Sequence, residues 1–221
     1  MLFTPSDSYT LSSFIILIVI TIFLCLKTIL KINKSQLWIV LFGLIVLILS
    51  LGAIFEITSD NIIPLAPLFL IMNIFFAIAL TLSNFGKNIT LTVSYTALLG
   101  LQSFRFPLEL ILHKWAQIGV VPQTMTWTGQ NLDIIAGIIC LIFIPFYKKY
   151  IGFVWTAQII GFSLLLNVIR VAVMSSPFPF SWPLDKPLQV IFHFPYVLIV
   201  PCFVTVALSC HLLVFRKLLS K

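Results

Sequence analysis

Apolar residues along this chain run in blocks of about twenty, and polar residues collect between the blocks. A block of that length spans the hydrocarbon core of a bilayer as a helix. Seven segments qualify, at roughly 9–30, 37–57, 62–83, 90–113, 131–147, 151–174 and 190–214. They are too long and too continuous for barrel strands, and a helix satisfies its own backbone inside lipid. The pattern predicts an all-α polytopic transmembrane bundle of about seven spans. No internal repeat or low-complexity linker divides it, so 1–221 reads as a single integral membrane domain. The first ten residues, MLFTPSDSYT, hold no Lys or Arg, and no small-x-small site follows the first block, so that block reads as a retained span.

Composition agrees. The chain is 61% hydrophobic and 9% charged, against about 25% charged in soluble domains. The net charge of +7 taken alone suggests nucleic acid, but the placement of the cations argues against it. If the spans alternate, Lys27, Lys31, Lys34, Lys87, Lys148, Lys149, Arg216, Lys217 and Lys221 fall on one side. Lys114 and Lys186 fall on the other, and Arg105 and Arg170 lie inside spans. The positive-inside rule then puts the N-terminus outside and the C-terminus in the cytoplasm of a bacterial inner membrane. Asp7, Glu56, Asp60, Glu109, Asp133 and Asp185 all land outside or in outer halves of spans. The expected partners are membrane lipid and the peptide tail of an envelope protein, with no nucleic acid. Cys25, Cys140, Cys202 and Cys210 lie in apolar runs without a Cys-x-x-Cys pair and read as packing residues.

Two arginines and a glutamate inside spans would cost about 8–10 kcal/mol if each faced lipid alone. Span four carries Arg105, Glu109 and His113 at i, i+4 and i+8, hence on one helix face, with Pro107 among them predicting a kink. Span five opens with Asn131 and Asp133. Span six carries Asn167 and Arg170 near its outer end, and span seven opens with His193. The chemistry predicts one shared pocket open to the extracytoplasmic side, with Arg105 paired to Glu109 and Arg170 paired to Asp133 or Asn167. The alternative is that both arginines snorkel to the interface. His211, near the inner end of span seven, is expected to be remote from this cluster. The link MSSPFPFSWPLDKP, with four prolines, cannot be helical throughout and reads as an aromatic lid or an ordinary outer loop.

Cofactor signals are missing. There is no phosphate-cradling glycine loop, dinucleotide fingerprint or serine nucleophile elbow. No His-x-x-x-His or Glu-x-x-His spacing supports a metal, so no cofactor and no metal are expected.

The run GLQSFRFPLELILHKWAQIGVVPQTMTWTGQNLDIIAG, with LLNVIRVAVMSSP and FPYVLIVPCFVTVALSCHLL after it, resembles a family of uncharacterised bacterial multi-span proteins over roughly 95–217. More distantly, the chain resembles the exosortases and archaeosortases, membrane transpeptidases acting on C-terminal sorting signals. Asn167-x-x-Arg170 and His193 match that family's order and sidedness. The resemblance implies that Arg170 stabilises an oxyanion and His193 moves protons. Thr126-Trp127-Thr128-Gly129 stands where the family has Ala-Cys-Ser-Gly, so the nucleophile position reads Trp127. Replacement chemistry would fall to Thr128 or Thr126, to Cys140, or to a water activated by Glu109 or Asp133. Three readings compete: an exosortase-like peptidase, a proton-coupled transporter using Arg105, Glu109 and His113, and a non-enzymatic accessory subunit of an envelope complex.

Overall fold

The computed structural model describes residues 4–29 and 66–220. The expected span at 37–57, the first residues of the span at 62–83, and Lys31, Lys34, Gly43, Gly52, Glu56, Asp60 and Lys221 lie outside the described residues.

Within them the regular structure is helical throughout, as the pattern predicts. The helices are α1 (Ser8–Ile29), α2 (Ala66–Leu82), α3 (Asn84–Thr92), α4 (Tyr95–Leu101), α5 (Arg105–Gln117), α6 (Asp133–Phe143), α7 (Ile151–Ser175) and α8 (Thr205–Leu219). By length and composition, three helical stretches suffice to cross a membrane: Ser8–Thr28, Ile151–Ser175 and Tyr196–Leu219. A fourth is reached if α2 and α3, bent by 66° at their junction, count as one. Large apolar side chains such as Ile16, Val19 and Phe23 on α1, Phe75 on α2 and Ile159 on α7 point outward. Lipid is a solvent for such a surface, and water is not.

Three predicted spans depart from straight helices, each for a local reason. The segment 90–113 is interrupted at Val93, which is extended, and Ser94 then caps α4 by accepting from the Ala97 N–H at 3.2 Å. The helical path runs on from Tyr95 through a 3-10 turn, Gln102–Phe104, into α5. That tightening precedes Pro107, whose missing N–H frees a carbonyl one turn back. The segment 131–147 yields only the short α6. In 190–214, Pro195 and Pro201 replace an ordinary start by 3-10 turns and a π-turn (Val200–Val204) before α8 begins.

Side-chain contacts define two ends of the bundle. At one end the Ser6 N–H donates to the Tyr196 hydroxyl (2.9 Å), Trp115 Nε1 to Thr10 Oγ1 (2.9 Å), and Thr124 and Ser175 share a hydroxyl bond (2.7 Å). At the other, Arg216 donates to the carbonyls of Thr81 and Ser83, and Lys217 to those of Thr90 and Val93. These carbonyls close α2 and α3, where the helix dipole favours a cation.

Two apolar cores fill the bundle. One, near the first end, is built on Phe14, Trp115, Tyr196 and Phe203, whose rings pack 5.1–6.3 Å apart. The second contains Phe85, Leu98, Tyr147, Val154, Leu213 and Leu218. In the order of each helix, Arg105 falls between Leu98 and Leu108, Gly161 between Ala157 and Leu165, and His211 between Leu208 and Leu213. A polar layer thus separates the two cores.

Candidate functional site

The polar layer centres on Arg105, which is 1% exposed. Its Nε donates to Asp133 Oδ2 at 2.7 Å and its Nη2 to Asp133 Oδ1, a bidentate ion pair joining α5 to α6. Its Nη1 donates to the Gly161 carbonyl of α7 (3.0 Å) and lies 3.2 Å from His211 Nε2 of α8. One guanidinium therefore ties four helices together.

The network assigns the histidine. Arginine only donates, so His211 Nε2 accepts, and its proton sits on Nδ1. Nδ1 in turn faces Gln158 Oε1 at 3.0 Å, and Gln158 Nε2 donates to the His211 carbonyl at 3.0 Å. Gly161 is required by this packing: a Cβ there would lie 2.8 Å from His211 Cε1 and 3.4 Å from Arg105 Nη1. Gly137 serves likewise between α6 and α5, since a Cβ there would collide with the backbone of Phe106.

Several expected pairings are corrected. Arg105 pairs with Asp133, not Glu109. The i+4 spacing allows a contact along one helix, but the start of α6 brings a better-placed carboxylate to the guanidinium. Arg170 pairs with Asn167, as one of its two expected partners, with Nη2 2.9 Å from Asn167 Oδ1. His211, expected far from the cluster, is a full member. The helix continues past Arg216 and Lys217 to Leu219, which places His211 two turns inside it rather than at its end.

Depth is corrected as well. The predicted residues do not share one level. Gly161 lies about 21 Å of helix rise below Ser175 at the end of α7, so the Arg105–Asp133 pair is near the middle of that helix. Asp133 reaches this depth because the chain between α5 and α6 dips into the bundle. Thr124 meets Ser175, the Gln130 carbonyl accepts from Asn167 Nδ2 at 2.8 Å, and Asp133 meets Arg105 at the level of Gly161. The descending backbone is held by side chains: Asn131 Nδ2 donates to the Met125 carbonyl (3.1 Å), and Asn131 Oδ1 accepts from the Asp133 N–H (3.1 Å). Irregular backbone at such depth is tolerated where protein satisfies it.

Glu109, also 1% exposed, stands one turn above Arg105. Its Oε1 accepts from Asn131 Nδ2 at 2.7 Å. Its Oε2 is buried without a hydrogen-bond partner. Glu109, Arg105, Asp133 and Ser176 are among the residues around a largely apolar cavity of about 230 Å³. The cavity lies between the start of α2, α5, the C-terminal half of α7 and the turns before α8, and Phe178 and Phe180 of the proline-rich link form part of its wall. That link is non-helical, as predicted, and folds back on α7 through Trp182 N–H to the Met174 carbonyl (2.8 Å) and Leu188 N–H to the Ser175 carbonyl (2.6 Å).

The remaining candidates line a different place. Asn167, Arg170, His113, Thr128 and His193 are not among the cavity-lining residues. Arg170 is exposed, reaches Gln130 Oε1 at 3.5 Å, and lies 5.7 Å from the Trp182 ring centre. His113 stacks on Trp127 with ring centres 4.1 Å apart, and its Nε2 meets Gln117 Nε2 at 3.2 Å. Thr128 Oγ1 accepts from Gln123 Nε2 and lies 2.8 Å from the buried Thr126 Oγ1. His193 ends the 3-10 turn Val190–Phe192, half-buried, its carbonyl accepting from the Val197 N–H at 3.0 Å. Cys140 is buried inside α6. Among the described residues no group of three or more His, Cys, Asp or Glu side chains is arranged to hold a metal.

Sequence reasoning read Gly161 as a close-packing glycine, missed Gln158 and set His211 apart from the cluster. Gln158-x-x-Gly161 was the available signal: a polar side chain and a missing one on the same face of an apolar helix. In comparisons with protein-family models, curated proteins and solved structures, none matches this chain.

Proposed function

We propose that this chain is a multi-pass bacterial inner-membrane protein of about seven spans, N-terminus out and C-terminus in, that binds an amphipathic molecule in the cavity beside Glu109. The orientation is supported by Lys87, Arg216 and Lys217, which gather near one end of the bundle, and by Lys148 and Lys149 flanking Tyr147 of the core at that end. The binding reading rests on one observation: an apolar cavity whose lining includes the buried acid Glu109, one of whose carboxylate oxygens has no partner in the protein. Ligand sites combine an apolar lining with a few convergent polar groups in this way.

The test is retention of a small molecule by the full chain purified in lipid nanodiscs, read by native mass spectrometry. Ala172→Trp and Ala207→Phe, which fill the cavity from α7 and α8, are expected to release it at unchanged helical content. Equal retention in both variants sinks the reading.

A peptidase on an exosortase-like plan is the second reading, and a specific contact favours it. Asn167 and Arg170 both hold Gln130, at the foot of the loop Thr126–Gly129. In that reading an envelope protein's tail lies over this loop, and Arg170→Ala and His193→Ala abolish its processing. Normal processing in both, at native abundance, removes it.

A further inference from the structure

We propose that Arg170 is the headgroup site of a phospholipid, with the phosphate on its guanidinium and an acyl chain lying along Leu166 and Ile159 of α7. Arg170 does not line the cavity beside Glu109, so this is a second site, and it requires neither reading above.

Three observations converge. The first is charge. Arg170 is exposed on a helix long and apolar enough to cross a membrane, and a cation in such a helix needs a counter-charge. Arg105 has one in Asp133. Among the described residues no carboxylate forms an ion pair with Arg170, not even Asp185 in the link that carries Trp182. The second is orientation. Nε and Nη2 both donate to Asn167 Oδ1, at 3.3 and 2.9 Å, and Nη2 reaches Gln130 Oε1 at 3.5 Å. The Asn167 amide is fixed in turn, because its Nδ2 donates to the Gln130 carbonyl at 2.8 Å. The Trp182 ring centre lies 5.7 Å from the guanidinium. None of these bonds uses Nη1, so a guanidinium already held in place keeps two N–H donors for an oxyanion.

The third is the face below it. Ile159, Ser163 and Leu166 precede Arg170 on the same side of α7, with Ile159 56% and Leu166 49% exposed. This row extends about 16 Å from Arg170 toward the middle of the helix at 1.5 Å per residue. A fixed cation with an exposed apolar row leading away from it fits an anionic head on a hydrocarbon tail. Free phosphate would use the head and leave the row bare. A peptide carboxylate would lay its backbone amides unsatisfied along the row, whereas an acyl chain has no polar group to satisfy there.

The experiment uses the full chain in maltoside micelles, which contain no phosphate. One probe is a phosphatidylglycerol with a diazirine in its headgroup; the other is a diacylglycerol with the same diazirine and no phosphate. The phosphate probe is expected to label residues 167–182 at least about tenfold more strongly, the factor that one charge-assisted hydrogen bond supplies. Arg170→Met reduces that labelling to the level of the uncharged probe, while labelling around Lys148 and Lys149 stays constant as the internal control. Ala172→Trp, which fills the cavity, leaves it unchanged, and so does inorganic phosphate in large excess. Equal labelling by both probes, or labelling of 167–182 that survives Arg170→Met, overturns the proposal. Displacement by inorganic phosphate overturns the lipid as the source of the anion, and displacement by an apolar peptide with a free C-terminal carboxylate, at concentrations below the probe's, overturns it in favour of a peptide. Loss of labelling in Ala172→Trp overturns the placement on the exposed face of α7 and leaves the cavity reading standing. Should Arg170→Met fail to fold, the adduct map of the native chain decides: adducts confined to Lys148, Lys149, Arg216 and Lys217 overturn the site, and adducts at 167–182 support it.

Discussion

Replacing Arg105 by Met tests whether the polar layer holds the bundle together. The substitution removes the bidentate partner of Asp133, the donor to the Gly161 carbonyl and the donor to His211 Nε2. Asp133 is 5% exposed, so little solvent reaches the carboxylate left behind. Breaking a buried pair from one side costs about 3–5 kcal/mol, and Asp133→Leu, which strands the guanidinium, should cost a similar amount. The double variant Arg105→Met with Asp133→Leu strands neither charge. What remains unpaired is chiefly His211 Nε2, a neutral acceptor, for a loss of about 1–3 kcal/mol. The double variant should therefore be more stable than either single one. Unfolding free energies from titration with denaturing detergent, followed by loss of helical circular dichroism, supply the cycle. A single-variant loss under about 1 kcal/mol, or a double loss equal to the sum of the two, refutes the reasoning. Arg170→Met is the internal control. That side chain is exposed and rests against Asn167, Gln130 and the Trp182 ring, so the loss should stay within about 1 kcal/mol.

Three further outcomes follow from the same structure. Gly161→Ala puts a methyl 2.8 Å from His211 Cε1 and should destabilise by about 1–3 kcal/mol, whereas Gly152→Ala, with nothing within 4 Å of its Cβ, should stabilise by about 0.4–1 kcal/mol; equal thermal shifts in the two would contradict this. Trp115→Phe keeps the ring packing on Phe14 but loses the bond to Thr10 Oγ1, a loss of about 1 kcal/mol that should vanish in a Thr10→Val background. Asp7 precedes the first span and accepts from the hydroxyl and N–H of Thr10, which hold its carboxyl below the usual value of 3.8. A depressed folded value means that its contribution is complete above pH 3.8 and fades as pH falls through the lower folded value. Asp7→Asn should remove that acid-side slope from the stability profile, and an unchanged slope would dismiss the cap.

Much of this molecule follows from one-dimensional pattern. Blocks of twenty apolar residues require helices, because a backbone in lipid must satisfy itself, and α1, α2, α7 and α8 lie in predicted blocks. The rarity of intramembrane charge also picked out Arg105, Glu109 and Asp133 as groups that need partners, and the structure brings all three to one cavity. Periodicity carries no information on which partner is chosen. Arg105 and Arg170 look alike in sequence, each with polar neighbours one turn away. The dip of residues 118–132 separates them, delivering Asp133 to the arginine that also meets the Gly161 carbonyl of α7 and leaving the other at the surface. That dip depends on contacts between residues far apart in the chain, Thr124 with Ser175 and Gln130 with Asn167, which no local rule encodes. His211 shows the same limit: its neighbours along the helix are apolar, and its partners, Arg105 and Gln158, come from two other helices. Sequence determined which groups had to be neutralised; the packing of α5, α6, α7 and α8 decided by what, at which depth, and that one Glu109 oxygen would be buried without a partner.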